Sequence, residues 1–335
     1  MKLRKQIAYA GRHFTPTWRY GFNLKSSLAY LFDHPTLVGE AKRIVDELNR
    51  NGIAITSVDK LLGDGSHFAE ISRAVAKLES EFSAQVEDLR ATANQDTESL
   101  KTFLIKLLGE KPSLDPGSIY ARFALQKEIL HVANAYFGMF TQLRYYNVWH
   151  TLATQTPPRE SQLWHRDRED HLILKLFVYF SDVDEGAGPF TYAAGTHRKG
   201  LIQNDPQTFV EKGVERWGDG QMETIVPRPN WISAVGKTGT MVFADTRGCH
   251  KGGLARTSDR ILYTCLFTSP TSQAPELFER PKQMQVPKDK AQSHAGELSA
   301  YFALMILSTR PTSEIIETEI AATAKSVWIG TNVLF

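Results

Sequence analysis

The hydrophobic pattern of this chain changes its period at Gly138, and this change limits the folds that the chain can adopt. Before Gly138, apolar residues recur at every third or fourth position, as they do on one face of a helix. After it, short runs rich in β-branched and aromatic residues alternate with glycine-containing turns, which is typical of strands. A helical half followed by a strand-rich half predicts an α+β protein.

Four helices are predicted before Gly138. The clearest covers residues 68–89, where apolar side chains repeat at intervals of three and four. The other three each run up to a glycine, the residue that most often ends a helix in the left-handed conformation. They cover residues 37–51, 99–108 and 118–137.

Seven short strands are predicted, and turn residues separate them. They cover residues 53–56, 139–152, 173–180, 189–192, 230–235, 240–244 and 261–268. Short strands at this spacing fit a jelly roll or a small barrel. The polar, glycine-rich segment 196–222 interrupts them, and we expect it to form a lid or a binding segment.

These patterns divide the chain into four parts. They are a basic N-terminal extension (1–35), a mainly helical part (36–138), a strand-rich core (139–270) and a C-terminal extension with helices over 297–307 and 312–324 (271–335). We expect residues 36–335 to form one compact domain, because a chain of 335 residues has ample material for a single large core.

The first 32 residues contain six lysines or arginines and no acid. They lack an apolar central region, which argues against a secretory signal peptide. An organellar transit peptide or a basic arm is an alternative, but we prefer an extension whose aromatic residues pack on the main domain. These residues are Trp18, Tyr20, Phe22, Tyr30 and Phe32.

The composition excludes several classes of protein. A net charge of +2 gives no reason to expect nucleic acid as a partner. No run reaches the ~18 apolar residues of a transmembrane helix, so no membrane span is expected. The two cysteines, Cys249 and Cys265, lie in or beside apolar strands, which favours buried free thiols over a disulfide. They indicate a reducing compartment, and we expect a cytoplasmic protein.

Among the ten histidines, only His165 is followed by aspartate two residues later. On an extended chain His165 and Asp167 point to the same side, so both can reach one metal ion. His250 follows the predicted strand 240–244, and a barrel can return the end of that strand to the first pair. Two imidazoles and one carboxylate form the facial triad of non-haem Fe(II) oxygenases. The spacing alone also fits a surface pair and a histidine that caps a turn.

Arg260 stands just before the predicted strand 261–268, ten positions after His250. A cation in this place could clamp the far carboxylate of a bidentate co-substrate. Arginine suits that task because its planar guanidinium binds a carboxylate with two parallel hydrogen bonds. A solvated charge at the end of a strand is the alternative.

Four segments together resemble the phytanoyl-CoA dioxygenase family and occur in that family's order. They are WHRD at 164–167, LKLFVYFSDVDEGAGPFTYAAGTHRKG at 174–200, GTMVFADTRGCHKGG at 239–253 and SDRILYTCLFTS at 258–269. Two mild departures are Ala194 and Thr196, where the family usually has proline and serine. The resemblance covers about residues 52–269. It implies a double-stranded β-helix, a jelly-roll or cupin-like core, flanked by helices mainly from the N-terminal half.

The resemblance also implies an activity. Such enzymes use Fe(II), 2-oxoglutarate and O2 to hydroxylate an unactivated C–H bond of a small-molecule substrate, with release of succinate and CO2. His165, Asp167 and His250 would be the iron ligands, and Arg260 would hold the distal carboxylate of 2-oxoglutarate. Halogenases that resemble this family have alanine or glycine in the carboxylate position, so Asp167 favours hydroxylation.

Further polar residues near the predicted site could take part in it. Gln162 and Asn147 lie on or beside strands that face the predicted metal, and they could donate hydrogen bonds to 2-oxoglutarate or substrate. Asp170 and His171 could compete as metal ligands, although their spacing fits the family pattern less well. An ordinary role in a sheet or a turn is the alternative for each of them.

Four more residues are candidates for the substrate pocket. Trp149 and Trp164 could form its walls, although a tryptophan in such a strand is more often part of the core. Arg247 and Arg256 could recognise an anionic substrate, but solvated surface charge is the simpler interpretation.

Two functions of other classes also fit the candidate ligands. One is a non-catalytic barrel that binds a metabolite or senses metal; the intact triad argues against it, because a pure binding module has no need of an open metal face. The other is a hydrolase that holds Zn(II) with the same two histidines and one carboxylate.

Overall fold

The computed structural model describes residues 14–63, 65–93, 103–115, 117–206, 215–272, 274 and 277–279. All of them belong to one compact unit, Met1–Asp289. The predicted C-terminal helices, 297–307 and 312–324, lie outside the described residues. The domain boundaries given above therefore stay predictions.

The described residues contain eight α-helices, and a π-helical turn at Thr17–Phe22 precedes the first. They are α1 (Leu24–Phe32), α2 (Gly39–Asn51), α3 (Val58–Leu62), α4 (Ser66–Glu81), α5 (Ser83–Ala93), α6 (Ile119–Ala124), α7 (Lys127–Phe137) and α8 (Asp219–Glu223). Helix α2 ends at Gly52 and α7 at Gly138, both in the left-handed conformation that glycine tolerates.

Three helix predictions need correction. The amphipathic pattern of residues 68–89 is divided between α4 and α5, because Phe82 leaves the helical conformation while the apolar side chains on either side stay buried. The pattern of residues 118–137 is likewise divided, with Gln126 extended between α6 and α7. The helix predicted over 99–108 needs correction in its described part, 103–108: Leu104–Lys106 pairs with a neighbouring strand, and this tertiary pairing overrides the local pattern.

The described residues contain nine strands, of which seven follow the predicted runs closely and two are short additions. They are β1 (Ile53–Ser57), β2 (Leu104–Lys106), β3 (Gln142–Thr151), β4 (Leu174–Tyr179), β5 (Thr191–Ala193), β6 (Trp231–Ser233), β7 (Thr240–Asp245), β8 (His250–Lys251) and β9 (Arg260–Thr268). Strands β2 and β8 were not anticipated, because pairs and triplets of residues are too short to show a period of two.

The strands form two antiparallel sheets. The larger sheet has the order β1-β7-β4-β9-β3-β2, and the smaller has the order β6-β5-β8. One apolar cluster joins them: it contains Phe177 of β4, Leu262 of β9, Tyr192 of β5 and Phe190, which directly precedes β5. Burying aromatic side chains in this way is the main stabilisation that such a two-sheet core has available.

The N-terminal segment packs on the sheets in part. Trp18 and Tyr30 are buried, whereas Tyr20 and Phe32 are exposed. Asn23 accepts hydrogen bonds from the backbone N–H and the hydroxyl of Thr271, at 3.2 Å and 2.9 Å, which joins this segment to the chain just after β9.

The predicted lid, 196–222, is described for 196–206 and 215–222. Its second part carries the start of α8 and buries Trp217 and Met222 against Trp164. This part is thus anchored in a core cluster.

Both Cys249 and Cys265 are buried free thiols. Within the described ranges, no helix combines the length and the apolar character that crossing a bilayer requires.

Candidate metal centre

His165, Asp167 and His250 come together at the edge of the smaller sheet. The backbones of His165 and His250 exchange two N–H···O=C hydrogen bonds, of 2.9 Å and 3.0 Å, so the two residues lie directly opposite each other. The backbone N–H of Asp167 donates to the carbonyl oxygen of Thr246 at 2.9 Å, so the backbone pairing extends to this residue. One ligand atom from each side chain lies within 4.8 Å of the other two, so the three could hold one metal ion.

In each imidazole, the hydrogen bond at Nδ1 determines the protonation state of Nε2. Nδ1 of His165 is 2.9 Å from the carbonyl oxygen of Leu163, and Nδ1 of His250 is 3.0 Å from that of Gly248. Because a carbonyl oxygen only accepts, each Nδ1 carries the proton, and each Nε2 keeps its lone pair. The two Nε2 atoms lie 3.9 Å and 3.8 Å from the carboxylate oxygens of Asp167. Both free nitrogens thus face the carboxylate, as metal ligands should.

The electrostatics keep the three side chains in the state that binds a metal. Burial, and then the neighbouring His250, lower the pKa of His165 to about 2. Burial likewise lowers the pKa of His250 to about 4. Burial alone would raise the pKa of Asp167, but the Lys175 ammonium and the two histidines outweigh it and hold that pKa below its ordinary value. At neutral pH the site therefore offers two neutral imidazoles and one carboxylate.

His165 and His250 line a cavity of about 590 Å³, a volume that includes the solvent at its open mouth. Its wall is mainly apolar, with Trp149, Phe177, Phe190 and Leu262 contributing side chains. Arg260 also lines it. Apolar walls with a few polar groups are typical of sites that bind small molecules.

Arg260 is buried at the start of β9, and its surroundings are unusual for a cation. Its Nη1 donates to the carbonyl oxygen of Gly188, but none of the described residues accepts a hydrogen bond from its Nε. No carboxylate of the described residues forms an ion pair with it. Burial lowers its pKa. A guanidinium buried without an anion is costly, which favours an anionic ligand in the cavity.

Two of the other predicted residues also line the cavity. Gln162 lies in the short turn Glu160–Gln162, where its side-chain oxygen accepts from the backbone N–H of Arg159 at 3.2 Å. Trp149 lies on the inner face of β3 and donates its indole N–H to the Tyr145 hydroxyl at 3.0 Å. The amide N–H₂ group of Gln162 can therefore donate to a ligand in the cavity, and the Trp149 ring forms part of the apolar wall.

The structure does not bring Asn147 into the cavity. Its side-chain oxygen accepts from the backbone N–H of Leu108 at 3.2 Å, and its amide donates to the carbonyl oxygen of Gly109 at 2.8 Å. These contacts use the amide to hold the turn that follows β2. The prediction that Asn147 faces a bound co-substrate therefore needs correction.

Trp164, Arg247 and Arg256 also lie away from the cavity lining. Trp164 alternates with His165, so it points to the opposite side and packs in the cluster under α8. The Arg247 guanidinium donates to the backbone oxygen of Asp167 at 3.0 Å. That of Arg256 donates to the carbonyl oxygens of Thr154 and Thr156. All three side chains stabilise the fold through packing or through hydrogen bonds to backbone oxygens, so the pocket roles predicted for them need correction.

Asp170 and His171, the competing ligands, face the N-terminal segment. Asp170 accepts from the indole N–H of Trp18 at 3.0 Å and from the backbone N–H of Ser269 at 2.7 Å. His171 Nε2 lies 2.9 Å from the Thr15 hydroxyl. Neither belongs to the metal-ligand group formed by the described residues.

Lys175 is the site residue that the sequence reasoning missed. Its Nζ lies 2.6 Å from Oδ2 of Asp167, and it lines the cavity beside Phe177. The signal was present in the sequence, because Lys175 is the only charge in the apolar run 172–180. Alternation along β4 places it on the same inward face as Phe177 and Tyr179.

The residues present fit a divalent metal ion. Two imidazole nitrogens and a carboxylate are a ligand set for Fe(II) and also for Zn(II). The fold and site thus define a two-sheet protein of mixed α and β structure with a candidate His-Asp-His metal centre that opens into an apolar cavity.

No family model matches this chain, and no curated protein matches it either. Solved structures do resemble it. AviO1 from Streptomyces viridochromogenes Tue57 is 17% identical with a TM-score of 0.46, over 72% of this chain and 100% of that one. EctD from S. alaskensis with bound Fe is 18% identical with a TM-score of 0.46, over 74% of this chain and 83% of that one.

A third similar structure is the epimerase SnoN in complex with Fe3+, alpha ketoglutarate and nogalamycin RO. It is 17% identical with a TM-score of 0.44, over 75% of this chain and 91% of that one. All three TM-scores are below 0.5, so these likenesses do not establish a family for this chain.

Proposed function

We propose that this protein is an Fe(II)- and 2-oxoglutarate-dependent dioxygenase that hydroxylates a C–H bond of a small-molecule substrate. One observation carries the proposal: His165 and His250 of the candidate metal centre line the same cavity as the buried Arg260 guanidinium, which has no carboxylate partner among the described residues. The resemblance to the phytanoyl-CoA dioxygenase family supports the same assignment and a double-stranded β-helix as the form of the two-sheet core.

The buried Arg260 guanidinium favours a metal site that also binds a dicarboxylate over a metal site alone. A buried charge is tolerated when a partner charge and hydrogen bonds satisfy it. The guanidinium can bind one end of 2-oxoglutarate through two parallel hydrogen bonds. The other end, a carboxylate beside a keto oxygen, suits a metal held at the triad. A Zn(II) hydrolase would use the same three ligands, but that function does not explain why a guanidinium is buried at position 260.

The chain's own residues then have separate tasks. His165 and His250 present neutral nitrogens, and Asp167 contributes the negative charge that a divalent cation needs. Phe177, Phe190 and the other apolar wall residues exclude water from the reacting centre. Bound iron would supply oxygen activation coupled to the conversion of 2-oxoglutarate to succinate and CO2. Gln162 is placed to orient a bound ligand through its amide.

The residues around the cavity determine which substrate can bind. The cavity is lined mainly by apolar side chains, and Trp149 presents a flat apolar surface to it. None of the described residues of the predicted lid, 196–206 and 215–222, lines this cavity. The retained carboxylate of Asp167 favours hydroxylation over halogenation, because it occupies the position that a halide would need.

The test is a titration of the anaerobic Fe(II) protein with 2-oxoglutarate. The expected result is a visible metal-to-ligand charge-transfer band, together with succinate formation once O2 is admitted. Candidate substrates are then screened by mass spectrometry for the gain of one oxygen atom. Absence of the band from metal-loaded, folded protein would rule the proposal out.

Two substitutions give matched controls for this titration. Arg260→Met removes the guanidinium from the cavity and should weaken 2-oxoglutarate binding strongly. Arg256→Met removes an arginine that binds only backbone carbonyls outside the cavity among the described residues, and it should leave the band intact. Metal analysis of protein purified without oxidation separates iron from zinc.

A further inference from the structure

Lys175 occupies an unusual place for a lysine. It lies on the inward face of β4, where the next two residues of the same face are Phe177 and Tyr179. Only 19% of its side chain is exposed, and it lines the cavity at the candidate metal centre. An ammonium group loses hydration in such a place, so its position needs a compensating role.

The contacts of Lys175 distinguish the two oxygens of Asp167. Its Nζ lies 2.6 Å from Oδ2, while the described residues donate no hydrogen bond to Oδ1. The two oxygens lie at similar distances from the histidines: Oδ1 is 3.9 Å from Nε2 of His165, and Oδ2 is 3.8 Å from Nε2 of His250. A charge-assisted hydrogen bond of this length is strong, and it engages the electron pairs that Oδ2 would otherwise offer to a metal. Oδ1 remains the freer ligand atom.

The charge of Lys175 works against metal binding as such. A cation next to a metal ligand repels a divalent ion through the low dielectric of a buried site. If the purpose of the centre were only to bind metal tightly, an uncharged residue at position 175 would serve better. The ammonium therefore has a role in how the metal is coordinated.

We propose that Lys175 is a positioning residue that restricts Asp167 to coordination through one oxygen. The carboxylate then occupies a single coordination position, and the face opposite the triad stays open for the two donor atoms of a chelating co-substrate and for a further ligand. This inference rests on the metal centre of the proposed function, but it does not depend on the identity of the co-substrate.

The experiment compares Lys175→Met with the wild-type protein after loading with Co(II), whose visible d–d absorption reports its coordination. In the variant the second oxygen of Asp167 is free to bind. We therefore expect weaker absorption, as for a higher coordination number, with Co(II) affinity equal to or above that of the wild type. Affinity for 2-oxoglutarate should fall, because the second oxygen of Asp167 then competes for a coordination position that the co-substrate needs.

Two further variants separate positioning from a general structural effect. Lys175→Arg keeps a cation that can reach Asp167, and it should restore most of the wild-type spectrum. Lys199→Met removes another hydrogen-bonded lysine, whose Nζ donates to the Asn49 side chain and to the carbonyl oxygen of Tyr136 outside the cavity. It should lower the free energy of unfolding and leave the Co(II) spectrum unchanged.

Either of two results overturns the inference. One is a Lys175→Met spectrum and 2-oxoglutarate affinity like those of the wild type. The other is loss of Co(II) binding in that variant, which would make Lys175 a structural partner of Asp167. If the methionine variant does not fold, a crystal structure of the Ni(II)-loaded wild type decides: Oδ1 alone on the metal supports the inference, and both oxygens on the metal contradict it.

The outcome is separable from that of the proposed function. If the wild-type protein binds Co(II) but no 2-oxoglutarate, the proposed function fails, and the spectra of the metal-only proteins still test Lys175. If 2-oxoglutarate binds normally to Lys175→Met, the inference fails and the proposed function stands.

Discussion

The indole N–H of Trp18 donates a hydrogen bond of 3.0 Å to Oδ1 of Asp170, across 152 positions of the chain. Asp170 also accepts from the backbone N–H groups of His171 and Ser269, both at 2.7 Å. Burial raises the pKa of Asp170. This carboxyl therefore joins three distant parts of the chain: the N-terminal segment, the end of β9 and the loop that carries Asp167.

Replacing Trp18 by Phe should destabilise the protein by about 1–3 kcal/mol, because it removes a buried hydrogen-bond donor from a carboxyl group. Urea unfolding measures the change. Tyr20→Phe is the control, since Tyr20 is 61% exposed and should show little effect. We also expect weaker metal binding in Trp18→Phe, because the loop after Asp167 loses an anchor. Equal stability of both variants would contradict this role.

The alternation of side chains along strands accounts for what was predictable at the site. His165 and Asp167 lie two residues apart on extended chain, and both do reach the space beside His250. The same rule places Lys175 beside Phe177 on the inward face of β4. The apolar run 173–180 predicts a strand, but nothing in that pattern links its one lysine to the pair His165 and Asp167.

Residues whose partners are distant in sequence could not be placed in this way. The Asn147 amide binds the turn at Leu108 and Gly109, and the Trp164 indole donates to Asp219. Neither partner is visible in a local pattern, because loops that return from far along the chain obey no period. The same limit explains β2, whose strand conformation comes from pairing with β3.

The stability of the metal-free protein should fall as the pH is lowered from about 6.5 to about 4. Burial lowers the pKa of His250 from 6.5 to about 4, so in this window the unfolded chain binds a proton that the folded chain does not. Stability therefore rises with pH, and the shift corresponds to about 3 kcal/mol. Thermal unfolding in a chelator measures it. His250→Gln should reduce the pH dependence by about this amount; an unchanged profile would show that His250 titrates normally.

Arg260→Met should leave the protein without ligand nearly as stable as the wild type, within about 1 kcal/mol. Its buried guanidinium has no carboxylate partner among the described residues, so losing it removes an uncompensated charge along with one hydrogen bond to Gly188. The difference appears with metal and 2-oxoglutarate. At a hundred times its Kd the ligand should stabilise the wild type by about 2.7 kcal/mol and the variant much less. Equal stabilisation of both proteins would place 2-oxoglutarate away from Arg260.

Gly188→Ala should lower the free energy of unfolding by about 3 kcal/mol and weaken 2-oxoglutarate binding as well. Gly188 has a φ of 69°, and a Cβ there would lie 2.4 Å from the backbone nitrogen of Ala255 and 2.7 Å from the carbonyl oxygen of Gly253. Relieving that overlap moves the carbonyl group of Gly188, which is the acceptor for Arg260. The matched control is Gly220→Ala in α8, where a Cβ meets nothing within 4 Å and a helix gains from alanine. Chemical denaturation and ligand titration of both variants measure the two effects. Normal 2-oxoglutarate affinity in a destabilised Gly188→Ala protein would show that Arg260 keeps its position without this carbonyl group.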